Sequence, residues 1–214
     1  MKTLAILGAG DLGQQIAHYA ISDNHYERIV FFDDFSFGKM INGIDVLGNM
    51  DDVENYFKQN YFQEIILGIG YKHLNKRKEL FDKFNSKIPF GKIIHSTVWV
   101  DSTTEIKPGC VIYPGCLIDA KTKIFENTIL NVSTTIAHDT IIGKHCFLSP
   151  RVSIAGFVNV EEKCIIGINS TIIDNISICA NTQLGGGTVV IKNIEKPGLY
   201  VGNPSRLIRQ YDTI

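Results

Sequence analysis

A histidine followed directly by a carboxylate is the pair of residues in this sequence best suited to proton transfer. His138 precedes Asp139, and the chain holds six histidines in all. A positioned imidazole can take a proton from a nucleophile near neutral pH, and a neighbouring carboxylate can fix its tautomer and stabilise its charged form. A lone histidine is commonly a solvated surface residue, so the pair by itself leaves both interpretations open.

A glycine-rich segment near the start of the chain has the pattern of a diphosphate-binding loop. Gly8, Gly10 and Gly13 fit GxGxxG, and Asp33 follows at the spacing of the acidic residue in that fingerprint. The pattern is typical of dinucleotide-binding folds, although the segment before the next domain is long enough for only half of such a fold. Glycine amides at a helix N-terminus bind any pyrophosphate. We therefore expect the glycines near the diphosphate of a nucleotide-sugar, with Asp33 and Asp34 near its nucleoside.

A second glycine turn precedes two basic residues. Gly68–Gly70 is followed by Lys72 and Arg77, and basic side chains there would add charge-assisted hydrogen bonds to phosphate. A solvated helix face is the alternative for both residues, and for Arg77 it has equal weight.

Strand-like and helix-like patterns alternate over the first part of the chain, which indicates a small parallel sheet with helices. The glycine-rich segments fall between a strand and a helix, where such loops bind ligands. The predicted strands are residues 3–7, 28–32 and 64–68, and the predicted helices are residues 12–21, 50–59 and 75–84.

From residue 94 onward an aliphatic residue recurs at every sixth position. Seventeen successive positions are Ile, Leu or Val without a break in register, which neither a helix nor an ordinary strand would produce. This period indicates a hexapeptide solenoid in which three hexapeptides form one coil. We expect these aliphatic side chains inside the solenoid: Ile94, Val100, Ile106, Ile112, Ile118, Ile124, Leu130, Ile136, Ile142, Leu148, Ile154, Val160, Ile166, Ile172, Ile178, Leu184 and Val190.

Small or β-branched residues follow four positions after most of these aliphatics. Four of the five cysteines occupy this slot, namely Cys110, Cys116, Cys146 and Cys164. They are therefore predicted to be packing residues rather than ligands or nucleophiles. Cys179 lies outside the slot and receives no role.

Composition limits the remaining possibilities. The 214 residues carry a net charge of −1, so the protein lacks the excess of positive charge that would attract a nucleic-acid backbone. No apolar stretch approaches a membrane span, and the first residues lack a signal-peptide pattern, so we expect a cytoplasmic protein.

Pro89 and Pro197 mark changes in the sequence pattern and therefore candidate domain boundaries. The expected domains are 1–90 (small α/β, nucleotide-sugar binding), 91–195 (solenoid, acetyl-CoA and catalysis) and 196–214 (cap or tail).

The solenoid without insertions, the GAGDLG unit, the segments AHDTIIG and GGGTVV and the ending GLYVGNPSR together resemble one family. It is the sugar O-acyltransferase family of left-handed parallel β-helix proteins, which includes sialic acid O-acetyltransferases. The likeness is greatest to N-acetyltransferases of nucleotide-linked 4-amino sugars, of the bacillosamine and perosamine type. The resemblance implies an acetyl-CoA-dependent N-acetyltransferase for a nucleotide-diphospho-4-amino-4,6-dideoxy sugar, with no metal. It places the catalytic pair on His138 and Asp139, where Asp replaces Glu.

The resemblance also assigns residues to acetyl-CoA. Gly156 follows His138 by three hexapeptides, hence one coil further on. It either eases a corner or, as the resemblance implies, donates its amide to the thioester oxygen. By the same resemblance Ile168 and Gly186 present backbone groups to the pantetheine arm. Arg206 is a candidate for the CoA phosphates, and Lys192 and Lys196 are weaker ones.

The spacing from His138 to Ile168 is five hexapeptides, which is not a whole number of coils. This places the two cofactor columns on different faces of the solenoid. A homotrimer with active sites at subunit interfaces would bring such columns together. Asn131 matches a family position that contacts the acceptor sugar, or is a polar corner residue. The family often has a second histidine at the position that Phe147 occupies here, and the nearby His145 is expected to be solvated.

Three other functions stay open from the sequence. An O-acetyltransferase of sialic acid or of a capsule or lipopolysaccharide sugar would use the same residues. A zinc carbonic anhydrase on this fold needs three histidine ligands, and His95, His138 and His145 do not stack to make that site. A non-catalytic nucleotide-sugar-binding protein would bind no CoA.

Overall fold

A computed structural model describes residues 2–211, which form two compact units that divide between Ile93 and Ile94. The longest described helix has 12 residues. None of the helices in the described part of the chain is long and apolar enough to cross a membrane.

The first unit is a mainly parallel sheet with helices, as predicted, and it has five strands rather than the three that the sequence indicated. Strand order is β3-β4-β2-β1-β5, and all neighbours are parallel except the β3–β4 hairpin, which the sequence patterns did not indicate. Every residue of β1 is buried, as expected for a central strand of a parallel sheet. The elements are β1 (Thr3–Leu7), α1 (Asp11–Ser22), β2 (Arg28–Phe32), β3 (Met40–Ile41), β4 (Ile44–Gly48), α2 (Val53–Lys58), β5 (Glu64–Leu67), a 3₁₀ turn (Tyr71–His73) and α3 (Leu74–Phe84).

The second unit is a parallel β-helix. Its 17 two-residue strands recur at every sixth position, and the second residue of each is the predicted aliphatic. The strands are Ile93–Ile94 (β6), Trp99–Val100 (β7), Glu105–Ile106 (β8), Val111–Ile112 (β9), Leu117–Ile118 (β10), Lys123–Ile124 (β11), Ile129–Leu130 (β12), Thr135–Ile136 (β13), Ile141–Ile142 (β14), Phe147–Leu148 (β15), Ser153–Ile154 (β16), Asn159–Val160 (β17), Ile165–Ile166 (β18), Thr171–Ile172 (β19), Ser177–Ile178 (β20), Gln183–Leu184 (β21) and Val189–Val190 (β22).

Each strand from β6 to β19 pairs in parallel with the strand three places further along the chain, and these pairs form three flat faces. Face A consists of β7, β10, β13, β16, β19 and β22. Face B consists of β8, β11, β14, β17 and β20. Face C begins with β6, β9, β12, β15, β18 and β21, and it continues into β23 (Gly198–Val201) and β24 (Arg206–Gln210). β23 runs parallel to β21, and β24 returns antiparallel to β23.

The aliphatic column fills the interior of the β-helix. From Ile112 to Val190 all fourteen members are buried, at 2% exposure or less. Ile94, Val100 and Ile106 are only partly buried. They belong to the first coil, which is covered by a neighbouring coil on one side only. Burial of continuous aliphatic stacks is the main stabilising contribution in such a solenoid.

Side chains in the small-residue slot fit the limited space and also donate hydrogen bonds to backbone carbonyls. The hydroxyl of Thr128 donates to the carbonyl of Gly143 at 2.8 Å, and that of Thr140 donates to the carbonyl of Ala155 at 3.0 Å. The thiol of Cys146 makes the equivalent contact with the carbonyl of Glu161 at 3.1 Å. Thr, Ser and Cys therefore suit this slot because each pairs a small volume with a hydrogen-bond donor.

Each described corner between Lys121 and Asn181 places one residue in the left-handed backbone region. These φ angles lie between 54° and 61° and recur at every sixth position. The residues are Lys121, Asn127, Ser133, Asp139, His145, Arg151, Phe157, Lys163, Asn169, Asn175 and Asn181.

Candidate active site

The predicted pair lies at the corner between faces A and B. His138 Nδ1 is 3.0 Å from Asp139 Oδ2, with the two side chains 47% and 31% exposed. An ionised carboxylate only accepts hydrogen bonds, so Nδ1 carries the proton and Nε2 keeps a free lone pair. Asp139 also faces Lys121, whose Nζ lies 3.9 Å from Asp139 Oδ1 one coil before. The imidazole is thus oriented as a proton acceptor that solvent and a substrate can reach.

Gly156 lies directly against the imidazole, as the spacing of one coil predicts. A Cβ atom on Gly156 would stand 2.8 Å from His138 Cε1 and 3.0 Å from Nε2. Such distances are closer than real Cβ contacts, so the ring can occupy this position only over a glycine. The nearest ring atoms also show that the Cε1–Nε2 end of His138 borders the coil of Gly156.

The amide of Gly156 is an outward donor. In the ladder, Ala155 N donates to Ile172 and Phe157 N donates to His138, which leaves the intervening N–H for a group outside the coil. In this structure that group is Asp174, whose Oδ1 accepts from Gly156 N at 3.0 Å. Asp174 was missed from the sequence, although it follows His138 by two coils.

Phe157 closes one side of the site. Its ring meets the His138 ring edge-to-face, with centroids 5.2 Å apart and an interplanar angle of 86°. The side chain is 56% exposed. An apolar surface therefore stands beside the proton-accepting imidazole.

A shallow cavity of about 280 Å³ runs across face A beside this corner. Outward-facing Thr135, Ser153 and Thr171 form its floor in three successive coils, and Asp174 closes its edge. Small polar side chains leave room on this face for an extended ligand.

Ile168 and Gly186 stack at the other edge of face A, the corner it shares with face C. A Cβ on Gly186 would lie 3.1 Å from Ile168 Cγ2, so the glycine allows close approach here. The two predicted cofactor columns lie at different corners of the solenoid, since His138 follows β13 of face A and Ile168 follows β18 of face C. Ile168 also shortly precedes β19, which belongs to face A as β13 does. The two corners are therefore the two edges of one face.

Arg206 is the first residue of β24 and is exposed. The preceding Ser205 donates its amide to Val189 in the last strand of face A at 2.8 Å. Arg206 is therefore placed near the final coil of that face. Lys192 and Lys196, in the preceding segment, are exposed as well.

Two of the polar residues considered in the sequence analysis, Asn131 and His145, are buried and hydrogen-bonded within the solenoid. Asn131 is 8% exposed and donates from Nδ2 to the carbonyl of Leu148 at 3.0 Å, which supports the polar-corner interpretation. The expectation that His145 is solvated is wrong, because it is 2% exposed. Its Nδ1 lies 2.9 Å from Asn127 Nδ2 in the coil before. The buried imidazole therefore has a hydrogen-bond partner in the neighbouring coil.

In the first unit the glycines form a close-packed turn. A Cβ on Gly13 would stand 2.0 Å from the carbonyl oxygen of Gly8, and one on Gly68 would stand 2.5 Å from the same oxygen. Gly10 is the N-cap of α1, with no atom near its Cβ position. Asp33 Oδ2 accepts the amide of Ala9 at 2.9 Å and so fixes the loop.

A cavity of about 330 Å³ lies beside this loop. Both predicted acidic residues line it, and Asp34 Oδ1 also accepts the amide of Met50 at 2.9 Å. The basic side chains at its wall are His73 and Lys76 rather than the predicted Lys72, which is exposed in the 3₁₀ turn. Lys72 therefore stays a prediction, and His73 and Lys76 are further basic candidates at this cavity.

Both interpretations of Arg77 are wrong. It is 1% exposed, and Nη1 donates to the carbonyls of Leu67 and Ile69 at 3.0 and 2.8 Å. Arg77 therefore holds the carboxyl end of β5 in the core and neither binds phosphate nor faces solvent.

The slot cysteines are buried free thiols, as predicted. Burial raises the pKa of Cys116 to about 11, so this thiol stays protonated at neutral pH. Cys179 is partly buried against the solenoid core, with Sγ 3.4 Å from Thr182 Oγ1. No cluster of potential metal ligands occurs among residues 2–211.

Comparison with known proteins begins with the first unit, where residues 3–84 match the PglD N-terminal domain family. UDP-3-O-acylglucosamine N-acyltransferase of Bordetella avium is 37% identical over 83 residues, which are 36% of this chain. The match covers 23% of that protein, so the chain spans about a quarter of its length. GDP-perosamine N-acetyltransferase of Escherichia coli O157:H7 is 28% identical over 180 residues, covering 80% of this chain and 78% of that protein.

Two solved structures share the fold over nearly the whole chain. The acetyltransferase domain of PglB from Neisseria gonorrhoeae superposes with a TM-score of 0.90 at 24% identity, covering 97% of this chain and 100% of that one. A variant of GDP-perosamine N-acetyl transferase from Caulobacter crescentus, solved with CoA and GDP-perosamine, gives 0.90 at 21% identity, covering 98% of each chain. The predicted left-handed β-helix with its α/β domain is confirmed, as is the resemblance to hexapeptide-repeat sugar acyltransferases.

Proposed function

We propose that this chain, whose residues 3–84 match the PglD N-terminal domain family, is an acetyl-CoA-dependent N-acetyltransferase of a nucleotide-diphospho-4-amino-4,6-dideoxy sugar. The observation that carries the proposal is the stack of His138, held by Asp139, on a glycine with an outward amide. A proton acceptor and an oxyanion donor are thereby next to each other at the edge of an open groove.

The named relatives support the choice of substrate class. The Escherichia coli relative, matched over 78% of its length, is a GDP-perosamine N-acetyltransferase, and one structural neighbour was solved with acetyl coenzyme A. Perosamine is an amino sugar, so an amine is the acceptor in that relative. We assign an amine acceptor to this chain on the same basis.

The proposed reaction is a direct transfer within a ternary complex. The sugar amine attacks the thioester carbonyl carbon of acetyl-CoA and forms the new C–N bond. His138 Nε2 accepts the proton that the amine nitrogen loses, and Asp139 stabilises the resulting imidazolium. The C–S bond then breaks, the electron pair leaves with sulfur, and His138 returns the proton to the CoA thiolate.

Gly156 is the proposed donor to the oxygen that gains negative charge during attack. Since Asp174 accepts from this amide at 3.0 Å, the thioester oxygen must replace the carboxylate. The groove of Thr135, Ser153 and Thr171 is the proposed path of the pantetheine arm toward Ile168 and Gly186. Arg206, with Lys192 and Lys196, is proposed for the CoA phosphates.

The first unit is the proposed site of the nucleotide. Its cavity combines Asp33 and Asp34, which can accept from ribose or base donors, with His73 and Lys76 as partners for phosphate. The open helix N-terminus at Gly10 is suited to the diphosphate. Asn131 stays a candidate for contact with the acceptor sugar.

The test is release of CoA thiol from acetyl-CoA over a panel of nucleotide-linked 4-amino sugars, paired with their 4-hydroxy analogues. Turnover with an amine and none with the matched hydroxyl would support the proposal. Turnover with the hydroxyl sugar or with sialic acid would establish the O-acetyltransferase instead. Absence of CoA binding by calorimetry would leave a non-catalytic nucleotide-sugar-binding protein.

We also propose that the protein is a homotrimer with sites at subunit interfaces and that it acts in the cytoplasm. Trp99 and Leu117 support the association, because they are in register on face A and are 52% and 48% exposed. Exposed apolar pairs of this kind commonly mark contacts between subunits. The grooves along face A would then be completed by another copy.

A further inference from the structure

Phe157 has a backbone conformation that suits other residue types better. Its φ is 57°, and the ten other non-glycine residues at equivalent corners from Lys121 to Asn181 are all polar or charged. Asn and Asp adopt this left-handed region readily because their side chains can hydrogen-bond nearby backbone. A bulky aromatic residue there is an outlier, and such outliers concentrate at functional sites.

The fold gains little from the phenylalanine ring. Phe157 is 56% exposed, while the aliphatic column beneath it is fully buried. Its backbone amide donates to the carbonyl of His138 at 3.2 Å, a bond that any other residue except proline would also make. Neither core packing nor the ladder of hydrogen bonds therefore explains an aromatic side chain at this corner.

The ring instead packs edge-to-face against the His138 imidazole. The Cε1 and Nε2 atoms of His138 are those nearest to the Cβ position of Gly156, which directly precedes Phe157. The two ring centroids are 5.2 Å apart. A nitrogen that gives its proton to Nε2 must come within about 3 Å of it, so the atoms bonded to that nitrogen come close enough to the imidazole to contact a ring packed against it.

We propose that Phe157 contacts the carbon-bound, apolar face of the acceptor sugar and selects acceptors with an apolar C6 methyl group. This inference rests on the proposed function and deepens it. A 6-deoxy sugar offers a methyl group where an ordinary hexose has a hydroxymethyl group. An aromatic wall favours the methyl, because it would leave a hydroxyl without a hydrogen-bond partner.

The test compares Phe157→Asn with Phe157→Tyr. Asparagine already occupies the same corner position at Asn169, Asn175 and Asn181, so the first variant should fold with unchanged or raised Tm. We expect its kcat/KM for a 6-deoxy amino sugar to fall about 10-fold, from loss of one aromatic contact, while KM for acetyl-CoA stays the same. Phe157→Tyr keeps the ring and should retain most of the activity.

The sharper readout is the ratio of kcat/KM for the 6-methyl acceptor to that for the 6-hydroxymethyl analogue. This preference should shrink in Phe157→Asn and persist in Phe157→Tyr, which a purely structural role would not produce. Asn181→Phe, at a corner shared by faces B and C, is the matched control. It should lower Tm and leave the ratio unchanged.

Two results would overturn the proposal. An unchanged preference in Phe157→Asn would mean that the ring does not contact the sugar, and a lower Tm in that variant would mean that the ring serves the fold. Failure of the proposed function would look different. The wild-type protein would then release no CoA with any amino sugar.

Discussion

His138 combines three local features that favour a proton acceptor: a carboxylate on Nδ1, a partly exposed side chain and a glycine beneath the ring. We expect His138→Ala to lower kcat by about 10² to 10⁴, the usual loss for a general base. CoA affinity should stay the same, because the imidazole is assigned to proton transfer. Asp139→Asn should lose less, since Asp139 only orients and stabilises the ring.

Turnover rates of the wild-type protein, His138→Ala and Asp139→Asn, measured together with the Kd of CoA, check this assignment. Wild-type turnover by His138→Ala on the true acceptor would exclude this residue as the base. Catalysis would then depend on the positioning of the two substrates alone.

Asp174 is the residue most directly placed to control the Gly156 amide. In Asp174→Ala the amide no longer has a competing carboxylate, so we expect the Kd of acetyl-CoA to fall about 3- to 10-fold, the range for one hydrogen bond. Free CoA has no thioester carbonyl, and its Kd should change little. Calorimetry with both ligands measures the ratio; an equal change for acetyl-CoA and CoA would refute oxyanion donation by Gly156.

The sequence allowed the positions of some of these site residues to be predicted, but not of others. The three-hexapeptide period alone stacks Gly156 on His138, because the coil repeats without insertions. The same arithmetic leads to Asp174, but a carboxylate two coils away has no obvious partner until the outward amide is seen. His145 and Arg77 were misplaced because their burial depends on neighbours in other coils or strands, which a local pattern does not contain.

At the level of elements, each two-residue strand contributes one buried aliphatic and relies on the coils above and below it. Ile142, on β14, is fully buried with pairing on both sides. Ile142→Ala should lower the free energy of unfolding by about 2–5 kcal/mol through a cavity that the flat coils cannot close. Ile141→Ala is the control, since this outward neighbour is 37% exposed and should cost far less.

Chemical denaturation with matched m-values measures both variants. Equal losses for Ile141→Ala and Ile142→Ala would contradict the alternation of inward and outward residues. The strand pattern was predictable because period six fixes which side chains point inward. The β3–β4 hairpin was not, since β3 has two residues and its pairing depends on the turn at Asn42 and Gly43.

At the level of the whole molecule, the proposed trimer would cover the exposed apolar residues Trp99 and Leu117 at one end of face A. Light scattering should give about three times the 23.9 kDa chain mass, and Leu117→Lys should reduce it by placing a charge in the contact. A wild-type monomer with full activity would exclude the trimer. This variant is informative because Leu117 is outward and 48% exposed, so the coil itself should tolerate the change.

Whether the site is shared between copies has a separate test. His138→Ala and Gly186→Trp should each be inactive, the second because a bulky side chain blocks the groove at the far edge of face A. If one copy supplies His138 and its neighbour supplies Gly186, random mixed trimers should recover about a quarter of wild-type activity, since only that combination of neighbours is intact. Light scattering on each variant confirms that it still associates. If each chain holds its own complete site, mixing restores nothing, because every chain keeps its own defect.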